Sequence, residues 1–228
     1  LEPADAQEAL DFTRLAFDLS ETFDTPVIVR ATTRLSHTRS PVFVGTRKEA
    51  EAKGWVDDSK KTVMIPGHAR MRHPLVVERV EKLEDYFSNS PLNRWDKGDS
   101  GFGIVTHGTC YPYVKEVVPK ASILKLAASY PLPEKLIREF AATVERVIVV
   151  EELEPVLEVE IRALGIEAEG KAFFPRIGEL PPELVREGLA KAGLIDAPPA
   201  AHDWEVEPIM RPPVLCAGCP HTTSYMAL

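Results

Sequence analysis

Two cysteines near the C-terminus, Cys216 and Cys219, stand in the sequence VLCAGCPHTTSY with C-x-x-C spacing. That spacing brings two sulfurs within reach of one metal centre, and Gly218 between them allows a tight turn. The segment reads as a short apolar strand, the cysteine loop and a helix starting near Pro220. Free N–H groups at that helix start favour thiolates. Four readings stay open. An iron–sulfur cluster normally takes four ligands, and only two are local. A structural zinc site has the same shortage. A dithiol redox pair needs only the two cysteines. The fourth reading is a pair of half-buried thiols beside a turn.

Other groups could carry chemistry. The stretch RATTRLSHTRS places Arg30, Arg34, His37 and Arg39 within ten residues. It could hold a carboxylate or phosphate through charge-assisted hydrogen bonds, or form an inter-domain salt-bridging loop. His68, Arg70, Arg72 and His73 in PGHARMRHP read mainly as a solvated face. Cys110 and His107 sit at a strand end, where Cys110 reads as a small buried apolar residue. Glu151 and Glu152 are adjacent on a predicted strand and point to opposite faces, so a structural role fits them better than paired acid–base work. The sequence has no glycine-rich phosphate loop and no H-E-x-x-H motif.

The elements that must position these residues follow from periodicity. Asp5 and Glu8 have capping-box spacing ahead of a helix over 5–23, with Phe12, Ala16, Leu19 and Phe23 on one face. PVIVRAT (26–32) reads as a buried strand, and the polar stretch after it leaves at the C-terminal end, where open α/β sheets place ligands. HPLVVERVEKLEDYF (73–87) predicts a helix with Pro74 near its first turn and Val76, Val80, Leu83 and Phe87 inward. Residues 99–170 then alternate strand and helix through GFGIVTHG, TCYPYVKEVV, ASILKLAA, LPEKLIREFAATV, ERVIVVEE, EPVLEVEIRALG and IEAEG. This strand–helix order predicts an α/β fold, a small, mainly parallel sheet flanked by helices. PPELVREGLAKAG (181–193) predicts one more helix before a proline-rich linker.

The chain has 228 residues, 44% hydrophobic and 27% charged, with a formal net charge of −8. The acidic balance argues against nucleic acid or an anionic membrane as main partner. No apolar run approaches the ~20 residues of a membrane span. Three cysteines make no disulfide framework, and the cytoplasm is the expected location. Neither end reads as a domain boundary, so the chain reads as a piece of a longer polypeptide.

Taken together, LCAGCPH preceded by RPPV, PVIVRATTRLSHTRS, RMRHPLVVERVEKLEDYFSNSPLNR, SYPLPEKLIREFA, VIVVEELEP and FFPRIGELPPELVREGL resemble, in this order, the large (alpha) subunits of the indolepyruvate ferredoxin oxidoreductase family. The resemblance covers nearly the whole chain. It implies an enzyme that oxidatively decarboxylates aryl 2-oxo acids to acyl-coenzyme A and reduces ferredoxin. Thiamine diphosphate, magnesium and iron–sulfur clusters of the 4Fe–4S type serve as cofactors, and a beta subunit is the partner.

The resemblance also implies five segments. Residues 1–45 would end a pyrimidine-binding thiamine domain, and 46–96 would form a charged helical connecting arm. Residues 97–175 would be a transketolase C-terminal-like α/β domain, and 176–210 a helix and proline-rich linker. Residues 211–228 would begin a pyrophosphate-binding thiamine domain, so incomplete thiamine domains stand at both ends. Cys216, Gly218, Cys219 and His221 would lie near the thiamine diphosphate, with Cys216 and Cys219 half of a possible iron–sulfur site. Arg34, His37 and Arg39 would face substrate or an interface. No catalytic residue is assigned. This stretch alone is expected to bind no cofactor and to be inactive. The alternative expectation is a non-catalytic assembly or interaction module, with the C-x-x-C as its candidate metal-binding element.

Overall fold

The computed structural model describes residues 1–47, 49, 54, 56–99, 101–197, 214–216 and 218–227. The chain divides into two units, Leu1–Ala197 and Pro198–Leu228.

The first unit opens with α1 (Ala6–Phe23), then α2 (Thr33–Ser36), α3 (Ser59–Thr62) and α4 (Pro66–Ser88). The sheet follows as β1 (Arg94–Asp96), β2 (Phe102–His107), α5 (Cys110–Val117), β3 (Ser122–Leu126), α6 (Glu134–Ala141), β4 (Arg146–Val150), α7 (Val156–Ala163) and β5 (Ala168–Glu169), and α8 (Pro182–Lys191) closes it. The second unit contains α9 (His221–Met226). Among the described residues no helix is long and apolar enough to cross a membrane.

The strand order is β1-β3-β2-β4-β5. β2, β3, β4 and β5 are parallel, and β1 adds an antiparallel edge against β3. This is the α/β, mainly parallel architecture expected from the strand–helix alternation. Successive residues on a strand point to opposite faces. Ile104, Ile123 and Ile148 therefore pack with Cys110 and Val114 of α5 and with Val185 and Leu189 of α8. Val105, Leu124 and Val149 pack with Ile137 and Phe140 of α6 and with Leu157 and Ile161 of α7. Each fully buried aliphatic side chain contributes roughly 1.5–3 kcal/mol, so the two faces hold the sheet.

Two boundaries differ from the expected segments. β1 lies inside the stretch read as a connecting arm, yet it pairs with β3. It is short and half-exposed, so it carries no apolar run to betray it. α8 lies in the stretch read as helix and linker, yet Val185 and Leu189 belong to the sheet's core. Its fit is close: a Cβ on Gly188 would overlap the Phe174 ring. Gly188→Ala is therefore expected to lower stability by about 1–3 kcal/mol through overpacking. Urea denaturation checks this, and a midpoint like that of the unsubstituted protein would mean α8 is not seated on Phe174.

α1 ends and begins as its sequence suggests, with one difference. The Asp5 side chain accepts from Glu8 N at 2.8 Å. The reciprocal half of the capping box is missing, because the Glu8 carboxylate accepts from Ala4 N (2.8 Å) and turns into the fold. At the other end Asp24 takes φ 50° and its carboxylate collects Lys61, Arg72 (3.4 Å) and Arg79 (3.2 Å). Arg72 is thus a structural cation that ties α4 to the end of α1.

α4 starts at Pro66, earlier than expected, and runs through Pro74. Pro66 suits a first helical turn, and the Ala69 N–H bond to Ile65 O nucleates the helix there. Pro74 forfeits one backbone bond in the interior, at a cost of ~3 kcal/mol. Only the C-terminal half faces inward. Phe87 and Leu83 pack with Leu19, Phe23 and Val27, while Val76 is exposed.

Residues 26–32 do not form a ladder strand. They are extended, with alternating half-buried and exposed side chains. Leu1 N donates to Ile28 O (2.6 Å) and Arg30 N to Leu1 O (2.9 Å), the pattern of a parallel bridge between Leu1 and Val29. A strand buried on both faces needs neighbours along its length, and here the bridge is one residue long. Residues 214–216, expected as a strand, are likewise outside any ladder.

Candidate functional site

In an open parallel sheet, ligands bind beyond the C-terminal ends of the strands, at the point where the winding reverses. Here that point lies between β2 and β4, because β3 and β4 flank β2 on opposite sides. This edge carries His107 at the end of β2, Gly108 and Thr109 in the loop that follows, Cys110 at the start of α5, and Glu151, Glu152 and Leu153 after β4. Gly108 takes φ 55°, which lets the chain turn from β2 directly into α5.

The chain's own 30–35 segment lies across this edge. Arg30 donates through Nε to both Glu2 oxygens (2.9 and 2.8 Å), and its NH2 lies 3.4 Å from His107 Nδ1. Ser129 Oγ donates to Glu2 (2.8 Å), and Glu2 N to Ala127 O (2.8 Å). Thr32 and Thr109 hydroxyls approach at 3.5 Å. Leu35 is buried, and Arg34 pairs with Glu179. A cavity of about 290 Å³ adjoins the Glu2–Arg30 pair, walled on its apolar side by Val27, Phe87 and Tyr130.

Burial governs the ionisation here. Desolvation pushes His107 down to about 4, only partly opposed by the Glu2 charge. The ring is therefore neutral, in keeping with an Nδ1 that accepts from Arg30. Desolvation is the largest single effect on the Glu2 carboxylate and works against it, but the Arg30 hydrogen bond, the His107 and Arg30 charges and the Ser129 hydrogen bond together outweigh it and hold Glu2 below the usual range. Burial pushes the Cys110 thiol up to about 12, so it is an inert core thiol. Glu151 accepts from Leu157 N and Glu158 N (both 2.9 Å) and so caps α7, with its pKa raised by desolvation.

The cationic cluster read from RATTRLSHTRS therefore separates. Arg30 and Arg34 engage different carboxylates, while His37, at the C-terminal cap of α2, and Arg39 are exposed. His107, Cys110 and Glu151 each serve packing, pairing or capping.

The second unit holds the cysteine turn. Cys219 N donates to Cys216 O (3.0 Å), and Gly218 takes φ 76°. Cys219 Sγ lies 3.3 Å from His221 Nδ1 at the start of α9. Cys216 is exposed and Cys219 half-buried, both as free thiols. Among the described residues no group of three or more His, Cys, Asp or Glu is arranged around one metal position. Sulfur with one imidazole suits iron or zinc, whereas magnesium prefers carboxylate, carbonyl and water oxygens.

No family model matches the chain. The chain is 39% identical over 247 aligned residues to the indolepyruvate oxidoreductase subunit IorA of Archaeoglobus fulgidus, covering 100% of this chain and 39% of that protein. It is 37% identical over 244 residues, with the same coverage, to the IorA subunit of Methanothermobacter thermautotrophicus. Along its whole length the chain is similar to a part of these IorA subunits of indolepyruvate oxidoreductase. It spans 39% of the length of these IorA relatives. A solved 2-oxoglutarate:ferredoxin oxidoreductase from Magnetococcus marinus aligns at 22% identity and a TM-score of 0.46, over 57% of this chain and 24% of that one. Within this chain, two buried charged residues near the sheet escaped the motif reading. Glu2 carries no signal of its own. Lys125 does, because a lysine inside the apolar run ASILKLAA demands a buried counter-charge.

Proposed function

We propose that this chain works within a thiamine diphosphate-dependent indolepyruvate:ferredoxin oxidoreductase. The reaction is oxidative decarboxylation of an aryl 2-oxo acid to its acyl-coenzyme A with reduction of ferredoxin. The observation that carries the proposal is 39% identity to an IorA subunit along the whole chain. A beta subunit, ferredoxin and coenzyme A are the partners, and the cytoplasm, where thiols stay reduced, is the location.

The residues here would contribute at two places. Residues 1–45 serve as the end of the pyrimidine-binding domain; the parallel bridge of Val29 to Leu1 on either side of α1 supports a strand–helix–strand unit. Arg34, His37 and Arg39 leave that unit's C-terminal end and would face substrate or the partner subunit. Residues 211–228 open the pyrophosphate-binding domain, with Gly218 and His221 beside the cofactor. Thiamine diphosphate, when bound, would supply a nucleophilic carbon for chemistry at the 2-oxo group. Cys216 and Cys219 offer two soft donors, half of an iron–sulfur site. The 97–175 sheet domain acts as a packing platform, a role favoured by the pairing and capping contacts of His107 and Glu151.

The test is an assay of the full-length protein with its partner subunit. Indolepyruvate and coenzyme A should together drive reduction of a low-potential electron acceptor, and the rate should vanish when thiamine diphosphate and magnesium are removed.

A further inference from the structure

A backbone hydrogen bond, Cys219 N–H to Cys216 O at 3.0 Å, holds the two cysteines of the turn near each other. The Cys219 N–H to Cys216 O bond and the positive φ of Gly218 close a four-residue turn. Such a turn holds its first and last Cα atoms within about 7 Å, and a disulfide spans roughly 4.4–6.8 Å. Cys216 is exposed and Cys219 is partly open to solvent, whereas Cys110 is buried in the sheet's core. The His221 imidazole lies 3.3 Å from Cys219 Sγ.

We propose that Cys216 and Cys219 form a reversible dithiol–disulfide couple whose oxidant is a low-molecular-weight disulfide of the glutathione class. The Cys219 sulfur bonds to one sulfur of the small disulfide. The small S–S bond breaks, and its other half leaves as a thiol carrying the Cys219 proton. The Cys216 sulfur then displaces the attached half, which leaves with the Cys216 proton. Two protein thiols lose two hydrogens, and one small disulfide becomes two thiols. The couple does not depend on the cofactor assignment of the turn. It does oppose it, because the closed disulfide has no thiolate to give a metal, so oxidation and metal loading exclude each other.

The experiment uses the full chain, freed of metal by dialysis against a chelator and exposed to oxidised glutathione. Peptide mapping should find a Cys216–Cys219 link, with loss of both fast-reacting thiols. Cys110 should be alkylated only after unfolding. Cys216→Ser should trap glutathione on Cys219, since the displacing sulfur is gone. Persistence of both thiols, a lasting glutathione adduct on the unsubstituted chain, or a link to Cys110 would each overturn the proposal.

Discussion

Replacing Glu8 by Ala lowers the unfolding free energy by about 3–5 kcal/mol, because it leaves a buried ammonium without its counter-charge. Lys125 is 0% exposed in the middle of β3. Its Nζ donates to Glu8 Oε2 at 2.6 Å and sits 4.8 Å above the Phe12 ring. Arg94 reaches the other Glu8 oxygen at 2.8 Å. One carboxylate on α1 therefore ties that helix to both β1 and β3. Desolvation already pulls the Lys125 pKa below its ordinary value, and Glu8 opposes that pull.

Without Glu8 the folded chain would release the Lys125 proton at still lower pH, while the unfolded chain keeps it to about pH 10.4. Over that interval the unfolded state binds more protons, so the stability of the variant rises with pH. Guanidinium unfolding at neutral and alkaline pH checks both points. Glu8→Leu with Lys125→Met should recover most of the loss, since apolar pairs replace buried ion pairs well. A loss below about 1 kcal/mol for Glu8→Ala would mean the pair is solvated like a surface bridge.

The second large effect is acid sensitivity through His107. Above pH 6.5 the ring is neutral in both states and costs nothing. As pH falls, the unfolded ring takes a proton near its ordinary pKa of about 6.5, while the folded ring resists until about 4. Stability is therefore lost progressively between those values, reaching about 3 kcal/mol. Glu2, held below the usual range, adds a loss of the same sign at lower pH. Glu151, held above it, opposes both. A His107→Gln variant keeps an acceptor for Arg30 and leaves the other two groups in place, so the difference between the two proteins isolates the imidazole. Thermal midpoints measured from pH 7 to 4 should fall less steeply in the variant. Parallel curves would show that His107 does not titrate on unfolding.

The sheet was legible because β2 and β4 carry short apolar, β-branched runs and β3 an apolar one, each bounded by turn residues. Ile104 and Val105, or Ile148 and Val149, say at once which faces are covered. α1 was legible from its cap and its one apolar stripe. What escaped depends on residues far apart in sequence. Lys125 and Glu8 are 117 positions apart, and only the lysine's odd setting hints at the pair. Residues 26–32 have strand composition, but ladder formation needs a neighbour that composition does not supply. The arginines of 30–39 looked like one cluster on the page. The fold sends Arg30 inward to Glu2 and His107 and Arg34 to Glu179, and leaves His37 and Arg39 outside. The C-x-x-C was legible as a turn, and its chemistry rests on what meets the two sulfurs.

The central claim is the reaction, and the most direct measurement is coenzyme A-dependent reduction of ferredoxin by the full-length protein with its partner subunit. Indolepyruvate and 2-oxoglutarate should be offered side by side. The proposed function requires turnover of indolepyruvate, lost on removal of thiamine diphosphate and restored by its return. Turnover of 2-oxoglutarate in its place, or indolepyruvate turnover indifferent to thiamine diphosphate, would contradict it.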